Sequence, residues 1–100
     1  MSKDFGGRYI LDGRGKPKPE PDLLKWAKWF EEGGNRRVAS DTVNGKMVST
    51  VFLGLDHSFG HGEPLLYETM VFGTEDDMAE RYHTREEALE GHQRILDSLR

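Results

Sequence analysis

The sequence contains no cysteine, so disulfides and thiolate metal sites are excluded, a composition that fits a reducing compartment. Long apolar runs are also missing. The longest, Val51 to Leu55 counting Gly54, is far short of the roughly 20 residues that span a bilayer. The opening segment Met1–Gly7 carries no apolar signal region, which leads to the expectation of a soluble, unexported, cytoplasmic chain with no membrane partner. A basic stripe is absent as well. The formal net charge is −4, and it is uneven: residues 1–50 carry ten Lys/Arg against seven Asp/Glu, residues 51–100 four against eleven. Acidity of this kind argues against a nucleic-acid partner. The acids cluster in Glu75, Asp76, Asp77, Glu80, Glu86, Glu87 and Glu90, either as a solvated surface or as a face for a basic partner.

What is present describes one α+β domain. A chain of 100 residues buries about two-thirds of its unfolded surface, enough for one core. Residues 1–20 read as an extended arm and residues 21–100 as the domain. In the arm, Tyr9-Ile10-Leu11 has strand character, and Pro17-Lys18-Pro19-Glu20-Pro21 alternates proline with charge, which favours polyproline geometry. Asp22 then caps an N-terminal helix with Leu23, Trp26, Ala27 and Phe30 on its stripe, ended by Gly33-Gly34. Trp29 lies at the edge of that stripe.

Asn44-Gly45 is a strong hairpin signal between Arg36–Val43 and Lys46–Leu55. Its register pairs Val43 with Lys46 and Val38 with Val51. Val48, Thr50 and Phe52 then share one face with Ala39, and both faces carry apolar groups, so the second strand is expected to be central or covered on both sides. A third strand spans Leu65–Phe72, and Ala79–His83 adds a short fourth. Thr84-Arg85-Glu86-Glu87 is a capping box opening a C-terminal helix with Ala88, His92, Ile95 and Leu99 inward and Leu89 and Leu96 beside them. The expected fold is therefore a three- or four-stranded antiparallel sheet with an N-terminal and a C-terminal helix.

Two places could carry chemistry. The loop Asp56-His57-Ser58-Phe59-Gly60-His61-Gly62-Glu63-Pro64 is longer than a tight turn needs. Asp56 could orient the His57 imidazole, and His57 and His61 with Asp56 or Glu63 could ligate a metal. The glycines and Pro64 break the helical spacing that a two-histidine zinc motif uses, so the loop reads as a turn and no metal or cofactor is expected. The second place is Glu68, a carboxylate sharing a strand face with Leu66, Met70 and Phe72, together with His92, an imidazole in the apolar stripe of the last helix. Packed against each other they would form a buried acid–base pair, either a structural clamp or a catalytic site. Nucleophile elbows and triad patterns are absent. The segment "GGRYILDGRGK" has glycines and a lysine but neither P-loop spacing nor a following helix.

The segments "YILDG", "DLLKWAKWFE", "RRVASD", "VSTVFLGLDHSFG", "PLLYETMVFG" and "ERYHTREEALEGH" resemble a family of small uncharacterised proteins of actinobacterial-type genomes and their phages. That resemblance implies a phage or prophage context, in which small accessory proteins bind host proteins or counter defence systems. It implies no catalytic residues. The leading expectation is thus a non-enzymatic accessory protein in the bacterial cytoplasm with a host protein as partner, contacted through Trp29, Asp76, Asp77, His57 and His61. Two alternatives accompany it. One is a small acid–base or metal-assisted enzyme using Asp56, His57, His61, Glu68 and His92; the other is a ligand-sequestering module with a pocket lined by Trp26, Trp29, Tyr67 or Tyr82.

Overall fold

Asn44 and Gly45 both take positive φ, 50° and 78°, the geometry that lets a two-residue turn follow the twist of its strands. In a computed structural model of the chain, which describes residues 7–32, 36–58, 62–73 and 78–100, this turn joins strands Arg37–Val43 and Lys46–Phe52. In chain order the elements are β1 (Tyr9–Leu11), β2 (Pro17–Pro19), α1 (Leu23–Glu31), β3 (Arg37–Val43), β4 (Lys46–Phe52), β5 (Tyr67–Phe72), β6 (Met78–Tyr82) and α2 (Arg85–Leu99). The fold is α+β: an antiparallel sheet ordered β3-β4-β5-β6, with α2 packed across one face, and a separate β1-β2 hairpin. No helix among the described residues is long and apolar enough to cross a membrane.

The Asn44-Gly45 turn sets Val43 opposite Lys46 as expected, and pairing continues to Ala39 opposite Thr50. The expected Val38–Val51 pair does not form. A bulge between Arg37 and Ala39 places Arg37 opposite Val51 instead, leaving Val38 to pack against the core. The extra residue bends the edge strand there. The proline-charge segment pairs as well: Pro17 to Pro19 run antiparallel to Leu11 to Tyr9, and Tyr9 is buried in the core. A two-stranded sheet has free edges, where the missing proline N–H groups cost no ladder bonds.

Both helices begin as their sequences predict. Asp22 accepts from the amides of Leu24 and Lys25, and Thr84 accepts from that of Glu87. Their inward faces differ from expectation. On α1 the inner residues are Trp26, Trp29 and Phe30, while Leu23, Leu24 and Ala27 are exposed, because the helix is nine residues long and its first turn overhangs. On α2, Leu89 points outward and Gly91 is buried.

The sheet face under α2 holds two apolar clusters. Tyr9, Phe52, Leu66, Tyr67, Tyr82 and Ala88 form one, and Val48, Val71, Ile95 and Leu96 the other. Thr50, Thr69 and His92, all buried, are the polar residues of this interior. Helix and sheet pack closely at Gly91, where a Cβ would collide with the Tyr82 ring and hydroxyl. Alanine in an exposed helix interior gains about 0.8–1 kcal/mol over glycine. Here the sign should invert. Gly91→Ala is expected to lower stability by about 1–3 kcal/mol through overpacking, at roughly 4–8 °C of Tm per kcal/mol for a domain of this size. Thermal melting followed by circular dichroism checks it; an unchanged or raised Tm would contradict this close packing.

Candidate functional site

His92 lies on the sheet-facing side of α2 and is 4% exposed, so both ring nitrogens need partners inside the protein. The sheet supplies them. Thr50 Oγ1 is 2.7 Å from Nδ1, and Asp41 Oδ2 is 2.7 Å from Nε2. Asp41 comes to this face because it pairs with Val48, whose side chain is turned toward α2. Thr50 stands opposite Thr69, their hydroxyls 2.5 Å apart, and the Tyr82 hydroxyl donates to Thr69 Oγ1 over 3.1 Å. Every proton of the chain finds an acceptor when the hydroxyls point one way: Tyr82 to Thr69, Thr69 to Thr50, Thr50 to Nδ1. The ring's Nε2–H then donates to Asp41. Burial pushes the Tyr82 phenol up, Thr69 opposes this, and the Glu80 charge reinforces it.

The pair expected from sequence, Glu68 with His92, does not exist. Thr69 faces α2, so strand alternation sends Glu68 to the opposite face of β5. There it stands across from Arg81, whose Nε donates to Glu68 Oε2 over 3.0 Å. Glu68 is paired but only partly buried, and His92 has taken Asp41 and Thr50 instead. The acid, imidazole and hydroxyl of Asp41, His92 and Thr50 have the composition of a triad. Thr50 is fully buried, however, and its oxygen is engaged by Thr69, so no substrate reaches it. The chain is a clamp between helix and sheet.

The long loop behaves as a turn where it is described. Asp56 Oδ1 accepts from the amides of Ser58 and Leu65, and Nδ1 of His57 donates to the Leu55 carbonyl over 2.9 Å. His61, Asp76 and Asp77, expected at a partner surface, lie outside the described residues. Among the described residues no three potential ligands cluster to hold a metal. Trp29 is half-buried, edge-on to Phe30 and Phe52, and lines a cavity.

That cavity is the feature sequence reading did not assemble. It holds about 460 Å³ and is walled by Asp12–Gly15, Trp29, Arg37, Val38, Tyr67 and Arg85. A second, of about 490 Å³, shares Arg14, Gly15, Tyr67 and Arg85 with it and adds Lys16 and the first turn of α2. Three separate segments thus converge. Asp12 builds the first: its carboxylate accepts from the amides of Lys16 and Arg14, which holds its pKa below the usual range. The bulge in β3 brings Arg37, and the start of α2 brings Arg85.

The arginines of this cleft differ from the others. Elsewhere, each described arginine has a partner. Arg81 pairs with Glu68, Arg94 with Glu80 and Arg100 with Asp97; Arg36 stacks on Phe30, and Arg8 donates to the Pro21 carbonyl. Arg14, Arg37 and Arg85 have no ion-pair partner among the described residues, and all three line the same cavity. Tyr67 is 1% exposed, and its buried hydroxyl has no hydrogen-bond partner among the described residues. Burial pushes that phenol up and the Arg85 charge opposes it, so it stays a neutral O–H donor near neutral pH. One signal in the sequence pointed here: Arg85 puts a cation at the first position of a helix, where the dipole disfavours it.

The clamp predicts a coupling. Thr50→Val keeps the shape but leaves His92 Nδ1 and Thr69 each short of a bond, at a cost of about 1–3 kcal/mol. Combined with His92→Ala, it should cost clearly less than the two single changes together, whereas Glu68→Gln and His92→Ala should add within about 0.5 kcal/mol. Urea denaturation of the six proteins measures both cycles. Additivity of Thr50→Val with His92→Ala would contradict the clamp. Comparison with known proteins gives no further assignment: no family model, no curated protein and no solved structure matches this chain.

Proposed function

We propose that this chain is a non-enzymatic binding module that captures an anionic small molecule in the arginine-lined cleft. One observation carries the reading: three arginines that form no ion pair among the described residues line one cavity, together with Tyr67, whose buried hydroxyl has no partner among them either. Buried polar groups are normally satisfied, and unpaired cations converging on a concave site favour an anion. Of the functions expected from sequence, the sequestering module gains support, since Trp29 and Tyr67 do line the cavity. Trp26 and Tyr82 are engaged elsewhere: the indole N–H of Trp26 donates to the Gly54 carbonyl, and Tyr82 belongs to the clamp. The accessory role with a host protein partner in the bacterial cytoplasm rests on the resemblance of the quoted segments; capture of a host metabolite is a way of filling it without catalysis.

The reading makes a prediction in which stability and binding move in opposite directions. Tyr67→Phe removes a hydroxyl that has no partner, so the free protein should melt at the same temperature or higher. A ligand that binds only the folded state raises Tm with concentration. Phosphate, sulfate and citrate, titrated at constant ionic strength, should raise the wild-type Tm, with less effect on Tyr67→Phe and on Arg85→Ala. Lys46→Ala, outside the cleft, should respond as wild type. If no anion shifts the wild-type melt, the cleft is not an anion site.

A further inference from the structure

We infer that the ligand of this cleft is a phosphate monoester carried on an organic group of mononucleotide size. The phosphate would sit at the wall shared by the two cavities, and the organic part would lie against Trp29. This rests on the reading of the cleft as an anion site and narrows it to a chemical class.

Charge is the first argument. Arg14, Lys16, Arg37 and Arg85 line the two cavities with two carboxylates, Asp12 and Glu86. Four cations against two acids leave two positive charges, which match a phosphomonoester dianion better than a carboxylate. The acids do not block the site equally: Asp12 is turned onto the amides of Arg14 and Lys16, while Glu86 stands only in the second cavity. His83, also in the second cavity, has its Nδ1 3.3 Å from Glu87 Oε1.

Donor geometry is the second. Arg14, Arg85 and Tyr67 line both cavities, which places two arginines and a buried phenol at their shared wall. Guanidinium forks match phosphate oxygens in pairs. The first turn of α2 adds to this. Thr84 takes the Glu87 amide, which leaves the amides of Arg85 and Glu86 without intrahelical acceptors at the positive end of a 15-residue helix. An anion here also resolves the placement of Arg85, whose charge is disfavoured at that helix end until a ligand neutralises it.

Room is the third. A bare tetrahedral anion occupies only a small part of about 460 Å³, a volume within the range of cavities that hold organic ligands. Part of the wall is Leu11, Val38 and the Trp29 indole, an apolar and aromatic surface that suits a planar ring.

Calorimetric titration of the full chain separates the parts of this proposal, with AMP, inorganic phosphate, adenosine and benzoate as probes. AMP is expected to bind at least tenfold more tightly than inorganic phosphate. Adenosine and benzoate should bind more weakly than either. Arg85→Ala should reduce AMP and phosphate binding alike, while Trp29→Phe, which keeps an aromatic against Phe52, should reduce AMP binding and leave inorganic phosphate unchanged. Equal affinity for AMP and inorganic phosphate would overturn the organic part and leave the anion site standing. Benzoate as tight as AMP would overturn the phosphate assignment. Binding of none of the anions would remove the site itself, and adenosine binding as well as AMP would show an aromatic pocket instead.

Discussion

A buried imidazole has two nitrogens to satisfy, and the rest of this structure follows from how His92 satisfies them. Thr50 and Asp41 sit on adjacent strands at fixed register, so the ring bonds both only when α2 lies at one height and one rotation. Apolar clusters on either side of the polar row tolerate sliding far better than a hydrogen-bond pair does, because hydrophobic contact is non-directional. The docking then fixes what the middle and the start of the helix meet. Gly91 comes down on Tyr82, and the first turn brings Arg85 close enough to Tyr67 for its charge to act on the phenol. The clamp is therefore a positioning device for the cleft, although none of its members enters it.

The cleft contrasts with that clamp in its satisfaction. Asp41, His92, Thr50, Thr69 and Tyr82 leave no donor or acceptor of their chain without a partner, whereas Tyr67, on the same sheet face, has a hydroxyl with none. Arg8 Nε and Ser58 Oγ are buried without a partner as well, but only the Tyr67 hydroxyl belongs to a residue lining the cavity of the three arginines that form no ion pair among the described residues. Structural sites are closed; binding sites carry unmet valence. Of the two places singled out in the sequence, the loop is held by the Asp56 carboxylate on the Ser58 and Leu65 amides, while Trp29 lines the cavity.

The elements of the fold were legible because each rests on local chemistry. Asn44-Gly45 needs no tertiary help to reverse the chain, and the caps at Asp22 and Thr84 satisfy amides within one turn. Errors arose where a face had to be assigned from periodicity. Leu23 and Leu89 fit their helical stripes yet are 56% and 42% exposed, since a stripe is only buried where a neighbour covers it. Glu68 and His92 were each rightly marked as polar members of apolar patterns. Pairing them required knowing which side of β5 the helix covers, and strand alternation is symmetric on that question until the helix has docked.

The sequence by itself determined the class of fold, the turns and caps, the central place of Lys46–Phe52, and the exclusion of disulfides and of thiolate metal chemistry. Those are consequences of backbone preference and composition, which act over a few residues or over the whole chain. Only tertiary structure decided that Asp41 is the partner of His92, and that Arg14, Arg37 and Arg85 belong to one site. They stand 23 and 48 residues apart in the chain, with an Asp12 turn, a β-bulge and a helix start as their supports. No spacing rule links such positions. What joins them is the path of the strands between, and the hydrogen bonds of one imidazole that hold the last helix over the sheet.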